Sequence, residues 1–136
     1  MGTFQVTIQI GDPQGQRYES LEALVDTGAT YTVAPASLLR NLGVVPHARA
    51  LFELADGRQR EMEIGRAWIR VYGITELTLV VFGDEGRMSL LGAYTLEGLR
   101  LAPDPVARRL VPVPGLLMRC LSLPSHDPSH AYLSSV

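Results

Sequence analysis

The chain has 136 residues, 46% hydrophobic and 19% charged, with a formal net charge of −2; this describes one globular domain, without the basic excess that a nucleic-acid backbone demands. All 12 basic residues are arginine, which excludes a P-loop lysine, a Schiff-base lysine and a Ser–Lys dyad. The lone cysteine, Cys120, excludes an intrachain disulfide and zinc sites built from four cysteines or from two cysteines and two histidines. With 13 glycines and 9 prolines, many turns and short strands are expected rather than long helices. The start Met1-Gly2-Thr3-Phe4-Gln5 lacks a signal-peptide pattern, and Val6 stands where myristoylation of Gly2 needs Ser or Thr. Apolar runs stop well short of the ~18 residues a membrane helix needs. The expectation is a soluble, cytoplasmic protein with no nucleic-acid and no membrane partner.

Phe4 to Ile10 alternates apolar and polar residues, the period of a strand with one buried face. Gly11-Asp12-Pro13-Gln14-Gly15 is turn chemistry, and a second strand over about 17–25 completes a hairpin. Asp26-Thr27-Gly28-Ala29-Thr30 forms a sharp loop, followed by a short strand at Tyr31-Thr32-Val33. A short helix is predicted over Ser37–Leu42, with Pro35 near its first turn and Gly43 as its stop. Leu51–Leu54 and Arg58–Ile64 flank Ala55-Asp56-Gly57, a strong hairpin signal. Further strands are predicted at Ala67–Val71 and Leu77–Phe82, separated by Gly73. Leu90-Leu91-Gly92 is a short buried run leading into a helical turn or two at Ala93–Glu97, closed by Gly98. A last strand spans Arg108–Val111. Residues 1–113 are expected to form the domain. Residues 114–136, Pro/Ser/His-rich after Leu116-Leu117-Met118, form a tail that is a dimer arm, a docking segment or disorder. Six to eight strands and two short helices make a mainly-β domain, which spacing alone allows as a small barrel or a sandwich.

Chemistry concentrates in Ala23-Leu24-Val25-Asp26-Thr27-Gly28-Ala29-Thr30. An apolar strand delivers a carboxylate into a tight loop, where charge is costly. Thr27 supplies a hydroxyl, and Gly28 allows a backbone approach that a Cβ would block. An ordinary Asp-Thr-Gly turn would look similar; the apolar strand before it and the small residue after it make the segment more specific.

With Leu90-Leu91-Gly92 downstream and a hairpin between, the sequence resembles the retropepsin-like (retroviral-type) aspartic proteases. Members carry an apolar-apolar-Asp-Thr/Ser-Gly-Ala motif, a hairpin flap, and an apolar-apolar-Gly segment running into a short helix. The match spans roughly residues 3–113 and looks closer to bacterial members than to viral ones. It implies a small closed β-barrel of the acid-protease type with one or two short helices and one lobe per chain. It also implies an aspartic endopeptidase, working through a water with no metal and no organic cofactor.

Aspartic proteolysis needs two carboxylates ~3 Å apart that share a proton. One acts as the base that activates water, the other as the acid that protonates the scissile carbonyl oxygen. This chain holds one Asp-Thr-Gly; Asp12, Asp56, Asp84, Asp104 and Asp127 sit in Gly/Pro or polar loop contexts. A C2 homodimer with Asp26 from each subunit at the axis is therefore required. By resemblance, Thr27 bonds across the axis and Gly28 presents its carbonyl to the substrate backbone. The flap, about Phe52–Met62 with its tip at Ala55, Asp56 and Gly57, closes over an extended peptide or protein substrate. Ala29 joins the substrate-contacting set. Val33 and Leu90 match apolar subsite positions, for which plain core packing is an equal reading. Two rivals stand beside the enzyme: a catalytically silent relative serving as a dimeric peptide-binding module, and an unrelated monomeric β-barrel interaction domain.

The sequence departs from the viral pattern at Thr30, where those members carry an acidic residue, and at Ala93-Tyr94, where they carry Arg then Asn or Asp. Both partners of that polar coupling are absent together. The flap tip is also more polar, with Asp56, Arg58 and Arg60. Other candidates are weaker. Pro128 interrupts the i, i+4 pair His126 and His130, which reads as a solvated tail rather than a metal site. His47 has no visible partner, Cys120 lacks a Cys–His signature, and Trp68 reads as core.

Overall fold

The computed structural model describes residues 3–115. Leu116–Met118, Cys120, His126 and His130 of the expected tail lie outside the described residues. The first alternating run forms β1 (Phe4–Gly11), with Phe4, Val6, Ile8 and Ile10 buried. It pairs antiparallel with β2 (Tyr18–Val25) along its whole length, from Phe4↔Val25 to Gly11↔Tyr18. In the turn between them, Asp12 Oδ1 accepts the N–H groups of Gln16 and Arg17.

After the Asp26 loop come β3 (Thr32–Pro35) and α1 (Ala36–Asn41). Gly43, at φ +85°, ends α1 in the left-handed conformation. Its N–H donates to Arg40 O at 3.0 Å, and Val44 N–H donates to Leu39 O at 2.9 Å. This pair of bonds is a Schellman cap, the stop expected of that glycine.

β4 (Ala48–Glu53) and β5 (Gln59–Val71) form the predicted hairpin. β5 is one strand of 13 residues, where the sequence suggested two strands with a break near Gly65. Gly65 marks a close approach instead: a Cβ there would stand 3.1 Å from the Phe82 ring and from Val45 O. Tyr72 and Gly73, both at positive φ, turn β5 into β6 (Ile74–Gly83) in a two-residue hairpin. β7 (Ser89–Leu91) leads through Gly92 into α2 (Ala93–Leu99). α2 continues through Gly98 and ends at left-handed Arg100, later than expected. A small separate sheet follows, β8 (Leu101–Asp104) paired with β9 (Arg109–Pro112). The sequence reading found only the second of these. The described residues thus hold nine strands, more than the six to eight expected.

The main sheet runs β1-β2-β7-β3-β6-β5 and closes through β5–β1 pairing at Gln9↔Arg70, Ile10↔Ile69 and Gly11↔Trp68. This is a closed six-stranded barrel, which leaves no open edge among those strands. β4 lies outside the ring, so residues 59–63 of β5 pair with β4 alone. Ile8, Ile10, Ile69, Val71, Val80 and Leu91 fill the interior, and Leu96 and Leu99 of α2 join that core from outside the strands. Trp68, expected in the core, is half-buried on the far side. There its indole N–H donates to Pro13 O at 3.1 Å.

Candidate active site

β2 and β7 lie parallel with Val25 opposite Leu91, so Asp26 and Gly92 leave the barrel side by side. Asp26 N–H extends the ladder by one bond, to Leu91 O at 3.2 Å. The chain then turns sharply. Ala29 N–H donates to Asp26 O at 3.1 Å, and Gly28 N–H donates to Asp26 Oδ1 at 2.9 Å. The carboxylate is thus oriented by its own loop, in an Asx turn. Its Oδ2 has no hydrogen-bond partner among the described residues. Asp26 is half-buried, while Thr27 and Gly28 are exposed. Gly28 does not occupy positive φ. Its lack of a side chain serves close approach, since a Cβ there would stand 3.2 Å from Asp26 Oδ1.

The loop is braced from below by α2. Ala93 N–H donates to Ala29 O and Tyr94 N–H to Thr30 O, both at 2.9 Å. This satisfies first-turn donors of a helix that has no side-chain cap. Such closeness requires glycine at 92, where a Cβ would stand 2.5 Å from the Tyr31 carbonyl carbon. Gly92 N–H donates to Thr32 Oγ1 at 3.1 Å. Thr32, Thr95 and Thr78 continue as a buried hydroxyl chain, with oxygens 2.6 and 2.9 Å apart. These three threonines escaped the sequence reading. Their one signal was a threonine at buried phase in the alternation of β3.

A cleft of about 330 Å³ opens at the loop, lined by Thr3, Phe4, Val25, Asp26, Thr27, Gly28, Pro103 and Pro105. It brings the three expected catalytic positions together, alongside two prolines of the unforeseen β8–β9 segment. Ala29 lies behind, bonded to α2. Val33 and Leu90 are cross-strand partners on β3 and β7. Both are half-buried where their neighbours Thr32, Ala34 and Leu91 are buried. Ala55, Asp56 and Gly57 form the exposed tip of the β4–β5 hairpin. That tip is closed by Gly57 N–H to Leu54 O and Leu54 N–H to Arg58 O, with Gly57 at φ +88°.

A family described as "gag-polyprotein putative aspartyl protease" matches residues 15–98, which include the Asp26 loop, the hairpin and Gly92. The chain belongs to this aspartyl protease family. Comparison with curated proteins finds no match. Among solved structures, the chain is similar to the foamy viral protease–reverse transcriptase in complex with an RNA/DNA hybrid. That match has 11% identity and a TM-score of 0.51, covering 97% of this chain and 16% of that one. It shows a shared fold. The simian foamy virus (mac) protease matches at 19% identity and TM-score 0.49, over 73% of this chain and 100% of that chain. The EIAV protease complexed with the inhibitor HBY-793 matches at 19% and 0.49, over 72% and 88%.

In this family member the junction of loop and helix, where Thr30 meets Ala93 and Tyr94, is held by main-chain bonds. The side chains that differ from the viral pattern are not needed to close it. Four acids elsewhere in the domain are committed to other partners. The Arg58 N–H and guanidinium hold Asp56 below the usual carboxylate range. A two-pronged contact from Arg60, at 2.6 and 2.8 Å, does the same for Asp84. Glu85 is lowered by the Ser37 hydroxyl and backbone N–H, and Asp12 by the backbone N–H groups of Arg17 and Gln16. Among the described residues, no group of three or more His, Cys, Asp or Glu is placed to hold a metal ion.

Proposed function

We propose that the chain is an aspartic endopeptidase active as a homodimer, with Asp26 of each subunit at the shared axis. One observation carries this reading. The family's single Asp-Thr-Gly appears here as a loop-held, half-exposed carboxylate with one oxygen unengaged among the described residues, beside an exposed Thr27. Half of a two-carboxylate centre stands at an open cleft.

In the dimer the two carboxylates share one proton. The ionised one takes a proton from a bound water as its oxygen forms a bond to the scissile carbonyl carbon. The protonated one gives its proton to the carbonyl oxygen. Collapse of the tetrahedral adduct breaks the C–N bond. The amine leaves with the proton held by one carboxyl group, and an adduct hydroxyl gives its proton to the other carboxylate as the new carbonyl forms, so the dyad again holds one proton. Thr27 braces the two loops across the axis. The Gly28 carbonyl accepts from the peptide backbone, and Ala29 borders it. Val33 and Leu90, side by side at half-burial, line an apolar subsite. The β4–β5 hairpin, tipped by Ala55, Asp56 and Gly57, covers an extended substrate whose affinity comes largely from main-chain bonds. A bacterial, cytoplasmic setting belongs to the same proposal and rests on sequence character.

Asp26→Asn tests it. The variant keeps the acceptor for Gly28 N–H and so keeps the loop. On a diverse peptide library at mildly acidic pH, cleavage by the native chain and at least a 10³-fold loss in the variant, as expected when an acid–base group is removed, support the enzyme. Equal cleavage by both overturns it. Peptide binding without cleavage by the native chain points to the silent binding module instead.

A further inference from the structure

The β4–β5 hairpin is gripped at one rung from two sides. Phe52 on β4 and Arg60 on β5 are direct cross-strand partners, so their side chains emerge on the same face. Phe52 meets Tyr31 edge to face, with ring centroids 5.7 Å apart and planes at 89°. Tyr31 in turn packs on Tyr94 at 6.1 Å. Arg60 grips Asp84 with both terminal nitrogens, at 2.6 and 2.8 Å. Neither anchor is incidental to the site. Tyr31 follows the Asp26 loop directly, next to Thr30 whose carbonyl takes the Tyr94 N–H. Asp84 begins the segment that runs into Leu90, and the adjacent Glu85 pins that segment to α1 through Ser37.

Beyond this rung the contacts turn inward. Arg58 pairs with Asp56 inside the tip, and the two closing bonds link Leu54, Gly57 and Arg58 to one another. Below it, Arg49 pairs with Glu61, and Arg40 of α1 pairs with Glu63. The Phe52–Arg60 rung is therefore the outermost point at which the hairpin is fastened to the site-bearing segments.

We propose that this rung is a latch: Tyr31 and Asp84 are positioning residues that set how often the tip opens. They act through Phe52 and Arg60 rather than by touching substrate. The aromatic half is insensitive to salt and the ionic half is screened by it, so opening quickens as salt rises. The proposal rests on reading the hairpin as the cover of a peptide cleft, and extends that reading by naming what holds the cover down.

Amide hydrogen exchange on the full chain without substrate tests it, through the local opening equilibrium. Arg60→Met and Asp84→Asn are each expected to speed exchange at Leu54 and Gly57 about fivefold, the upper range for a well-formed surface pair. Amides of β1 and β2 should stay unchanged. Exchanging the charges, Arg60→Asp with Asp84→Arg, should restore most of the protection. Tip exchange within twofold of the native chain overturns the latch. So does equal acceleration in β1 and β2, or a charge-exchanged chain no better than the single variants. In peptide turnover, the single variants should raise KM more than they change kcat. A native chain that cleaves no peptide, yet shows the expected exchange pattern, removes the catalytic reading and leaves the latch standing.

Discussion

The Asp26 loop was legible as a sharp turn because an apolar strand ends there and Thr-Gly-Ala follows. Thr95 was not, because one threonine among Tyr94, Leu96 and Glu97 looks like any short helix. Its hydroxyl nevertheless joins Thr32 to Thr78 at 1% exposure, and Thr32 in turn holds Gly92 N–H. Valine fits the same volume but cannot bond. Thr95→Val should therefore cost about 1–3 kcal/mol, the penalty for leaving buried hydroxyls short of partners, and lower the melting temperature by roughly 5 °C or more. Thr95→Ser should recover most of this in thermal unfolding. A Thr95→Val chain melting with the native one would show that the hydroxyl chain braces nothing. Gly92→Ala is the sharper substitution. Its methyl meets backbone rather than a side chain that could swing away, so the loop and α2 must part. We expect a loss of about 3 kcal/mol, with cleavage falling further than stability alone explains, because Asp26 N–H hangs on the adjacent Leu91 carbonyl.

At the scale of elements, alternation and turn chemistry placed β1, β2, α1 and the β4–β5 hairpin well, since a turn or a glycine stop bounds each of them. The failures share a cause. Gly65 was left between two predicted strands and Gly98 was read as a helix stop, and tertiary packing overrode both. Gly65 lets Phe82 and Val44 close on β5. Pro103 and Pro112 sit in a two-stranded sheet outside the barrel, where a missing N–H is tolerated. The β6–β7 loop shows what sequence cannot display at all, its carboxylates being engaged by residues far along the chain. Asp84 is lowered by Arg60 and Glu85 by Ser37, from ordinary values of 3.8 and 4.5. A carboxyl with a depressed folded value binds fewer protons folded than unfolded. Its contribution is complete above the ordinary value and disappears as pH falls through the folded one. Stability should therefore fall as pH drops below about 4.5. The double variant Asp84→Asn, Glu85→Gln should start less stable at neutral pH and lose less across that acid range. Thermal melts at stepped pH check this, and parallel curves for the two chains would refute it.

For the whole molecule, the barrel makes one chain a sound fold, while the proposed function makes that same chain half of a catalyst. Its six strands close on themselves, so the domain needs no partner to satisfy its main ring. The Asp26 loop nevertheless faces an open cleft, with a carboxylate oxygen unengaged among the described residues and an exposed Thr27. Folding and catalysis should therefore respond differently to dilution: the melting transition changes modestly, while specific activity falls once the chain drops below its dimer constant. Mixing gives a stricter test, because Asp26→Asn keeps the loop and should pair with native subunits. When equal amounts are allowed to exchange, random pairing leaves about half the cleavage that the same native chain gives alone, and a large excess of variant suppresses it nearly completely. A monomeric enzyme would be indifferent to the added variant at any ratio. Such indifference, under conditions where subunit exchange is demonstrated by mass, would eliminate the shared-carboxylate mechanism for this chain. Suppression that follows the pairing statistics would require that each active unit draw one Asp26 from each of two copies.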